Sequence, residues 1–194
     1  MSSRPTTRPG GRSARVQQSV HQAVRELEAE VGRDALTVPL IAARAGVTPS
    51  TVYRRWGDLR ELLSDVAVER LRPDAPPADH GSLRADLEAW AVQFAEEMGS
   101  TAGRTYIRDA LLGDPEQGNA VRCSDYAAEQ LTALGVRAAG RGEAVPAVET
   151  LLDVVVAPLM YRILFRPSDL SAAYTDGLVA AALGAAQPAS TPKS

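Results

Sequence analysis

At 194 residues, 45% of them hydrophobic, the chain is long enough for one ordinary domain or a small module joined to a larger one, and too apolar to be disordered throughout. Its formal charge of −3 conceals an asymmetry: residues 1–72 carry 12 arginines against 8 acidic residues, a net of +4, whereas residues 73–194 carry a net of −7, so the basic N-terminal end is the one suited to nucleic acid. One cysteine, Cys123, and two distant histidines, His21 and His80, exclude a disulfide framework and a recognisable metal site, and no apolar run of membrane-spanning or leader character follows the early arginines.

The expectation is therefore a soluble cytoplasmic protein with no cofactor and no membrane partner. Residues 1–12, with Pro5, Pro9 and a Gly10-Gly11 pair, read as a flexible basic arm. Ser13 is positioned to cap the helix that follows, in which Val16, Val20, Val24, Leu27 and Val31 recur on one face until Gly32. A short second helix runs from Thr37, its N-cap, through Leu40, Ile41 and Ala45 to Gly46, a residue suited to the left-handed backbone that ends a helix. Thr48 can cap a third helix, with Pro49 in its first turn and Val47 placed to staple onto Val52. Asp58 caps a fourth, with Leu59, Leu62, Leu63 and Val66 facing inward. Residues 13–72 thus form one unit, and the Pro-rich stretch PDAPPADHGS, residues 73–82, connects it to the next.

Beyond the connection, residues 83–186 carry helical periodicity throughout and no strand pattern. One stripe holds Leu83, Leu87, Trp90, Ala91, Phe94 and Met98; a shorter helix holds Tyr106, Ala110 and Leu111; a longer one spans about Pro115 to Ala139. Two strongly apolar helices follow, roughly Ala144 to Phe165 and roughly Ser168 to Ala185, and residues 187–194 read as a tail. The fold class is all-α, with about nine helices.

The stretch AARAGVTPSTVYRRW, residues 42–56, carries the sharpest signal. On a helix turning about 100° per residue, Val52 and Trp56 share the inner face with Pro49 beside them, while Ser50, Thr51, Tyr53 and Arg54 project outward and Arg55 lies at the edge of the apolar face. Small hydroxyls let such a helix approach a major groove closely, and Arg54 can bridge O6 and N7 of a guanine or meet phosphate. Two arginines on a surface helix are by themselves ordinary solvated charges. The helix before them, the Gly46 break, the capped start and the Arg-rich arm together specify a helix-turn-helix.

The segment from Arg15 to Leu71, above all LTVPLIAARAGVTPSTVYRRWGDLRELL, resembles the DNA-binding domain of the TetR family of transcriptional regulators. The resemblance implies a three-helix DNA reader joined by a fourth helix to an all-helical C-terminal domain for ligand binding and dimerisation. It implies phosphate contacts from Thr37 and Tyr53, base-facing roles for Ser50, Thr51 and Arg54, and either role for Arg55, with Thr48 at the helix start and Arg12 and Arg15 reaching DNA from the arm. Two positions depart from the family pattern. Leu59 stands where many members carry a phosphate-contacting Lys or Arg, leaving Arg60 as the substitute, and Pro39 occupies a place often polar or charged.

An acidic helical domain is suited to pairing or sensing. The last two helices are apolar around much of their circumference, so Leu151, Val155, Leu159, Leu170, Tyr174 and Leu178 are candidates for a homodimer interface, against the simpler reading of a buried core. Trp90, Phe94, Met98, Tyr106, Tyr126, Met160 and Tyr161 are candidates to line an effector pocket, and Arg162 interrupts an apolar helix, where a charge needs either an internal partner or a ligand anion. Cys123 has no second cysteine to act as a resolving thiol. The expected function is that of a dimeric repressor, bound to a palindromic operator in double-stranded DNA and released by a small-molecule effector. An activator or a non-sensing DNA binder of the same fold is the alternative. A small helical enzyme lacks support, since the chain offers neither a Gly-rich phosphate loop nor an arguable catalytic pair or triad.

Overall fold

The computed structural model describes residues 11–167 and 170–185, all of whose regular structure is helical. Helix α1 (Gly11–Val31) and a 3-10 turn (Arg33–Ala35) precede α2 (Val38–Ala45), α3 (Pro49–Trp56) and α4 (Leu59–Leu71). In the second half α5 (Leu83–Gly99), α6 (Thr101–Leu112), a 3-10 turn (Pro115–Gln117) and α7 (Asn119–Gly140) lead to α8 (Val148–Leu151), a π-turn (Leu152–Val156), α9 (Ala157–Phe165) and α10 (Ala172–Ala185). The stretch α8, π-turn and α9 is one continuous rod. No helix among the described residues is long and apolar enough to cross a membrane.

Local chemistry explains most of the boundaries. The Thr37 hydroxyl accepts from the Leu40 amide at 3.3 Å, and Gly46 at φ 68° ends α2 in the left-handed region that an L side chain resists. Asp58 caps α4 through its carboxylate on the Glu61 amide, and Ser82 and Ser100 cap α5 and α6 in the same way. Gly103 sits where α6 turns away from α5 so closely that a methyl group would overlap the carbonyls of Glu97 and Met98.

Four boundaries differ from the sequence expectation. Helix α1 already begins at Gly11, so Ser13 lies within its first turn rather than capping it; the arm's earlier residues lie outside the described residues. Residues from Pro115 form a separate 3-10 turn, closed by Gly118 at φ 73°, before α7 starts at Asn119. Residues 144–147 are not helical, since Pro146 disfavours helical backbone at the residue before it, and the penultimate rod starts at Val148. Helix α10 starts at Ala172; Ser168 and the C-terminal tail lie outside the described residues.

Two cores result. Val20, Val24, Leu27, Ile41, Val52, Trp56, Leu62 and Val66 close the N-terminal unit, whereas Val31, one turn past them, is exposed. Leu87, Trp90, Leu131, Leu134, Leu151, Val155, Leu159, Ile163 and Val179 belong to the second. Helix α4 serves both. Leu62 and Val66 face the N-terminal core, while Ala67 and Val68 pack with Ala110 in the seam between the halves. The Pro-rich connection is also fastened: Arg137 donates to the carbonyls of Pro77 and Ala78 at 3.1 and 3.0 Å, and Gln130 to that of Ala75 at 3.4 Å.

Candidate nucleic-acid interface and ligand cavity

Helices α2 and α3 meet at the turn Gly46–Thr48, and α3 turns Val52 and Trp56 into the core. Each apolar side chain buried this way contributes about 1.5–3 kcal/mol, which fixes the helix's rotation about its own axis. Its opposite face is therefore fixed too. Ser50, Tyr53 and Arg54 are exposed, Thr51 is half-buried, and Thr37 at the start of α2 is exposed on the same unit. Thr48 takes part differently from the sequence expectation: its hydroxyl makes no cap hydrogen bond and pairs instead with the hydroxyls of Ser50 and Thr51 at 2.9 and 3.0 Å.

Arg54 and Arg55, adjacent in sequence, have separate fates. Arg54 extends from the exposed face. Arg55 folds back onto α1, donating to the Ser13 hydroxyl and to Gln17 Oε1, each at 2.6 Å, with its guanidinium 5.1 Å from the Trp56 ring centre. It clasps the reader together. Arg15 is exposed on α1 and Arg60 is exposed in the first turn of α4; the Arg12 side chain lies outside the described residues. A further clasp that sequence reasoning missed joins α2 to α1, where Arg44 grips Glu30 through both carboxylate oxygens at 2.8 and 2.6 Å.

Beneath α3 lies a polar hub. Asp65 of α4 is buried, and its Oδ2 accepts from Gln17 Nε2 at 2.9 Å, His21 Nε2 at 3.0 Å and the Trp56 indole at 2.9 Å. Its Oδ1 accepts from Arg122 of α7 at 3.2 Å. Burial alone would raise the pKa of this carboxyl, but the hydrogen bonds from His21 and Trp56, joined by Arg122, hold it well below the usual carboxylate range. Neighbouring contacts run the same way: Asn119 Nδ2 donates to Glu61 Oε1 at 3.0 Å and to the Ser64 hydroxyl at 2.9 Å. Arg33 reaches Asp109 at 2.5 Å; burial pushes the Asp109 carboxyl up, and the guanidinium offsets only part of that.

The C-terminal half encloses a cavity of about 780 Å³, into which the end of α4 and the Pro-rich connection also extend. Trp90, Phe94, Met98, Tyr106, Tyr126 and Met160 all line it, with the Trp90 and Phe94 rings stacked at 5.1 Å. Sequence reasoning missed Arg70, Gln93, Glu97, Cys123 and Gln130 in the same lining. Burial pushes the Cys123 thiol up to about 11. Two expected lining residues are elsewhere. Tyr161 is 58% exposed and faces outward beside Phe165, with the ring centres 5.3 Å apart, and the Arg162 guanidinium lies 4.0 Å over the ring of Tyr174.

Three of the expected interface residues need correction as well. Leu151, Val155 and Leu159 have no exposed surface and sit in the protomer's own core, so they cannot meet a second copy. Leu170, Tyr174 and Leu178 are half-buried against that core. The outward apolar residues of the same rod are Tyr161 and Phe165.

Two family models match the chain. Residues 22–66 match "Bacterial regulatory proteins, tetR family", and residues 77–182 match "Tetracyclin repressor-like, C-terminal domain". The HTH-type transcriptional regulator YdeS of Bacillus subtilis is 28% identical over 184 residues, 91% of this chain and 92% of that protein. The HTH-type transcriptional regulator AqdR of Rhodococcus erythropolis is 28% identical over 147 residues, 74% of this chain and 71% of that protein. Among solved structures, a TetR transcriptional regulator from Agrobacterium tumefaciens has the same fold, with a TM-score of 0.55 at 19% identity over 88% of this chain and 93% of that one. With a helix-turn-helix whose second helix exposes hydroxyls and arginine, and with both halves matched, the chain belongs to the TetR family of DNA-binding bacterial transcriptional regulators.

Proposed function

We propose that the protein is a dimeric repressor that binds a palindromic operator and leaves it when a small molecule occupies the cavity between α4, α5, α6 and α7. The observation that carries this reading is the division of α3: Val52 and Trp56 are committed to the core, and Ser50, Tyr53 and Arg54 are exposed on the opposite face. In the complex Arg54 reads a base edge, Ser50 and Thr51 allow close approach to the groove, and Tyr53 and Thr37 meet phosphate. The Thr37 oxygen that caps α2 still has its own proton to donate. Arg15 and Arg60 flank the helix with positive charge. The compartment is that of the DNA, the cytoplasm.

Two readers address half-sites about 34 Å apart only if a dimer holds them there. The exposed Tyr161 and Phe165 supply an apolar surface for that contact. A dimer seated across an operator blocks other proteins sterically, which is why repression is the sign proposed. The cavity supplies the release: α4 forms part of its wall and also carries Leu62 and Val66 of the reader core, so a ligand that favours another position of α4 changes the spacing of the recognition helices.

Fluorescence anisotropy against the DNA flanking the protein's own gene, across a salt series, tests the reading. The expected result is tight binding whose log affinity falls linearly with log salt, and a loss of about 1–3 kcal/mol of sequence preference in Arg54→Ala. Equal weak binding to every duplex, unaltered by Arg54→Ala, overturns it.

A further inference from the structure

Arg122 stands where the reader and the cavity wall meet. It lies on α7, immediately before Cys123 and one turn before Tyr126, both of which line the cavity. Its guanidinium donates to Asp65 Oδ1 and to Asn119 Oδ1, each at 3.2 Å. The Tyr126 phenol and the Asp65 carboxylate both favour its charged form and together outweigh the opposing effect of burial. The other hydrogen bonds recorded to Asp65 come from Gln17, His21 and Trp56, all within the N-terminal unit. Arg122 is thus the contact of this hub that originates in the other half of the molecule.

From the reader side the connection is continuous. Arg55 donates to Gln17 Oε1 at 2.6 Å, Gln17 donates to Asp65 at 2.9 Å, and Asp65 accepts from Arg122 at 3.2 Å. The guanidinium, one turn from Tyr126 in the cavity wall, is held by Asp65 beneath the recognition helix and by Asn119 on its own helix, so a ligand acceptor that binds beside Tyr126 and takes the guanidinium weakens its hold on Asp65.

We propose that Arg122 is the positioning residue through which occupancy of the cavity is communicated to the recognition helix. The proposal rests on the reading above that the cavity takes the effector. A ligand that binds against Tyr126 draws the guanidinium away from Asp65, and Trp56 and Gln17, which share that carboxylate, shift with it.

The two tryptophans make this measurable in the full-length chain. The Trp56 indole donates to Asp65 at 2.9 Å and the Trp90 indole to Gln130 Oε1 at 2.6 Å, so one N–H reports the hub and the other the cavity. In protein labelled with 15N-tryptophan and titrated with the aromatic anion 8-anilinonaphthalene-1-sulfonate, both indole resonances are expected to move along one binding curve. In Arg122→Met the Trp90 shift is retained and the Trp56 shift is lost; Asp125→Ala, an exposed site on the same helix, behaves as the unaltered protein. A Trp56 shift undiminished in Arg122→Met overturns the proposal, as does a Trp56 signal that stays still in the unaltered protein while Trp90 moves. A Trp90 signal that stays still in every folded variant overturns the cavity reading, and the proposal with it. Should Arg122→Met fail to fold, Tyr126→Phe without any probe is expected to move the Trp56 resonance, and an unmoved resonance overturns the proposal.

Discussion

The Trp56 indole nitrogen lies 2.9 Å from Asp65 Oδ2, so the last residue of the recognition helix is tied by its side chain to the middle of α4. The same oxygen accepts from Gln17 and His21 of α1. One carboxylate therefore fixes the relative placement of three helices. Removing it takes the acceptor from four donors, the buried His21 and Trp56 and the half-buried Gln17 and Arg122, and Asp65→Ala is expected to cost about 3 kcal/mol of stability in urea unfolding. The pH dependence has a definite sign. The folded-state pKa of Asp65 is depressed below an unfolded value of about 3.9, so its contribution is full above that value and is lost as pH falls toward the folded one. Stability measured from pH 6 down to about pH 3 is expected to decline less steeply in the variant than in the unaltered protein.

Arg54 and Arg55 provide a paired test on adjacent residues. Arg55→Ala breaks the clasp onto Ser13 and Gln17 and is expected to lower stability by about 1 kcal/mol. Arg54→Ala is expected to leave the thermal midpoint unchanged and to act on DNA affinity alone. Thermal melts beside anisotropy separate the two; equal melting losses in both variants would contradict the division.

The helix-turn-helix was legible because its information is local. Thr37, Gly46, Pro49 and Asp58 act through the backbone within a few residues, and the periodic Val20, Val24 and Leu27 need only a helix to share a face. The aromatic content of α5, α6 and α7 likewise pointed to the cavity. The outward face of the α8–α9 rod was not legible, because a helix apolar on all sides does not declare which side meets its own core, and Leu151, Val155 and Leu159 proved to be the inner one. The contact between Asp65 and Arg122 spans 57 residues of sequence and has no local signature. A trace did exist: Asp65 interrupts the buried run of α4 between Leu62 and Val68, where a charge requires partners. Arg55, at the border of two faces, was decided by Gln17 and Ser13 on another helix.

Cys123 offers a chemical readout of the cavity. With its thiol pushed up to about 11, the thiolate fraction at pH 8 is about two orders of magnitude below that of an unperturbed cysteine. Modification by an aromatic disulfide reagent is expected to be slower by a similar factor and to accelerate about tenfold per pH unit up to pH 10. Rapid, pH-independent modification at pH 8 would show that the thiol is not held in an apolar wall.

The outward pair Tyr161 and Phe165 bears on assembly. If these rings form the dimer contact, placing a charge between two apolar surfaces is destabilising, and Phe165→Glu is expected to sediment as a monomer where the unaltered chain sediments as a dimer. Operator affinity should fall with it, since a single reader gains nothing from the second half-site. A variant that stays dimeric at micromolar concentration would move the interface to another surface.

The π-turn at Leu152–Val156 has a consequence for insertions and deletions in this rod. Pro158 has no amide proton to return to the carbonyl of Val154, and the wider turn beside it accommodates one residue more than a regular helix of the same length would hold. Every residue downstream is therefore rotated by about 100° relative to an uninterrupted α-helix. Closing this turn into a regular α-helix with all five residues kept would rotate Ile163 away from the core and the exposed rings toward it, whereas deleting one residue along with the wide turn would leave both faces where they are. The outer surface of this half is thus set by a count of residues as much as by their kind.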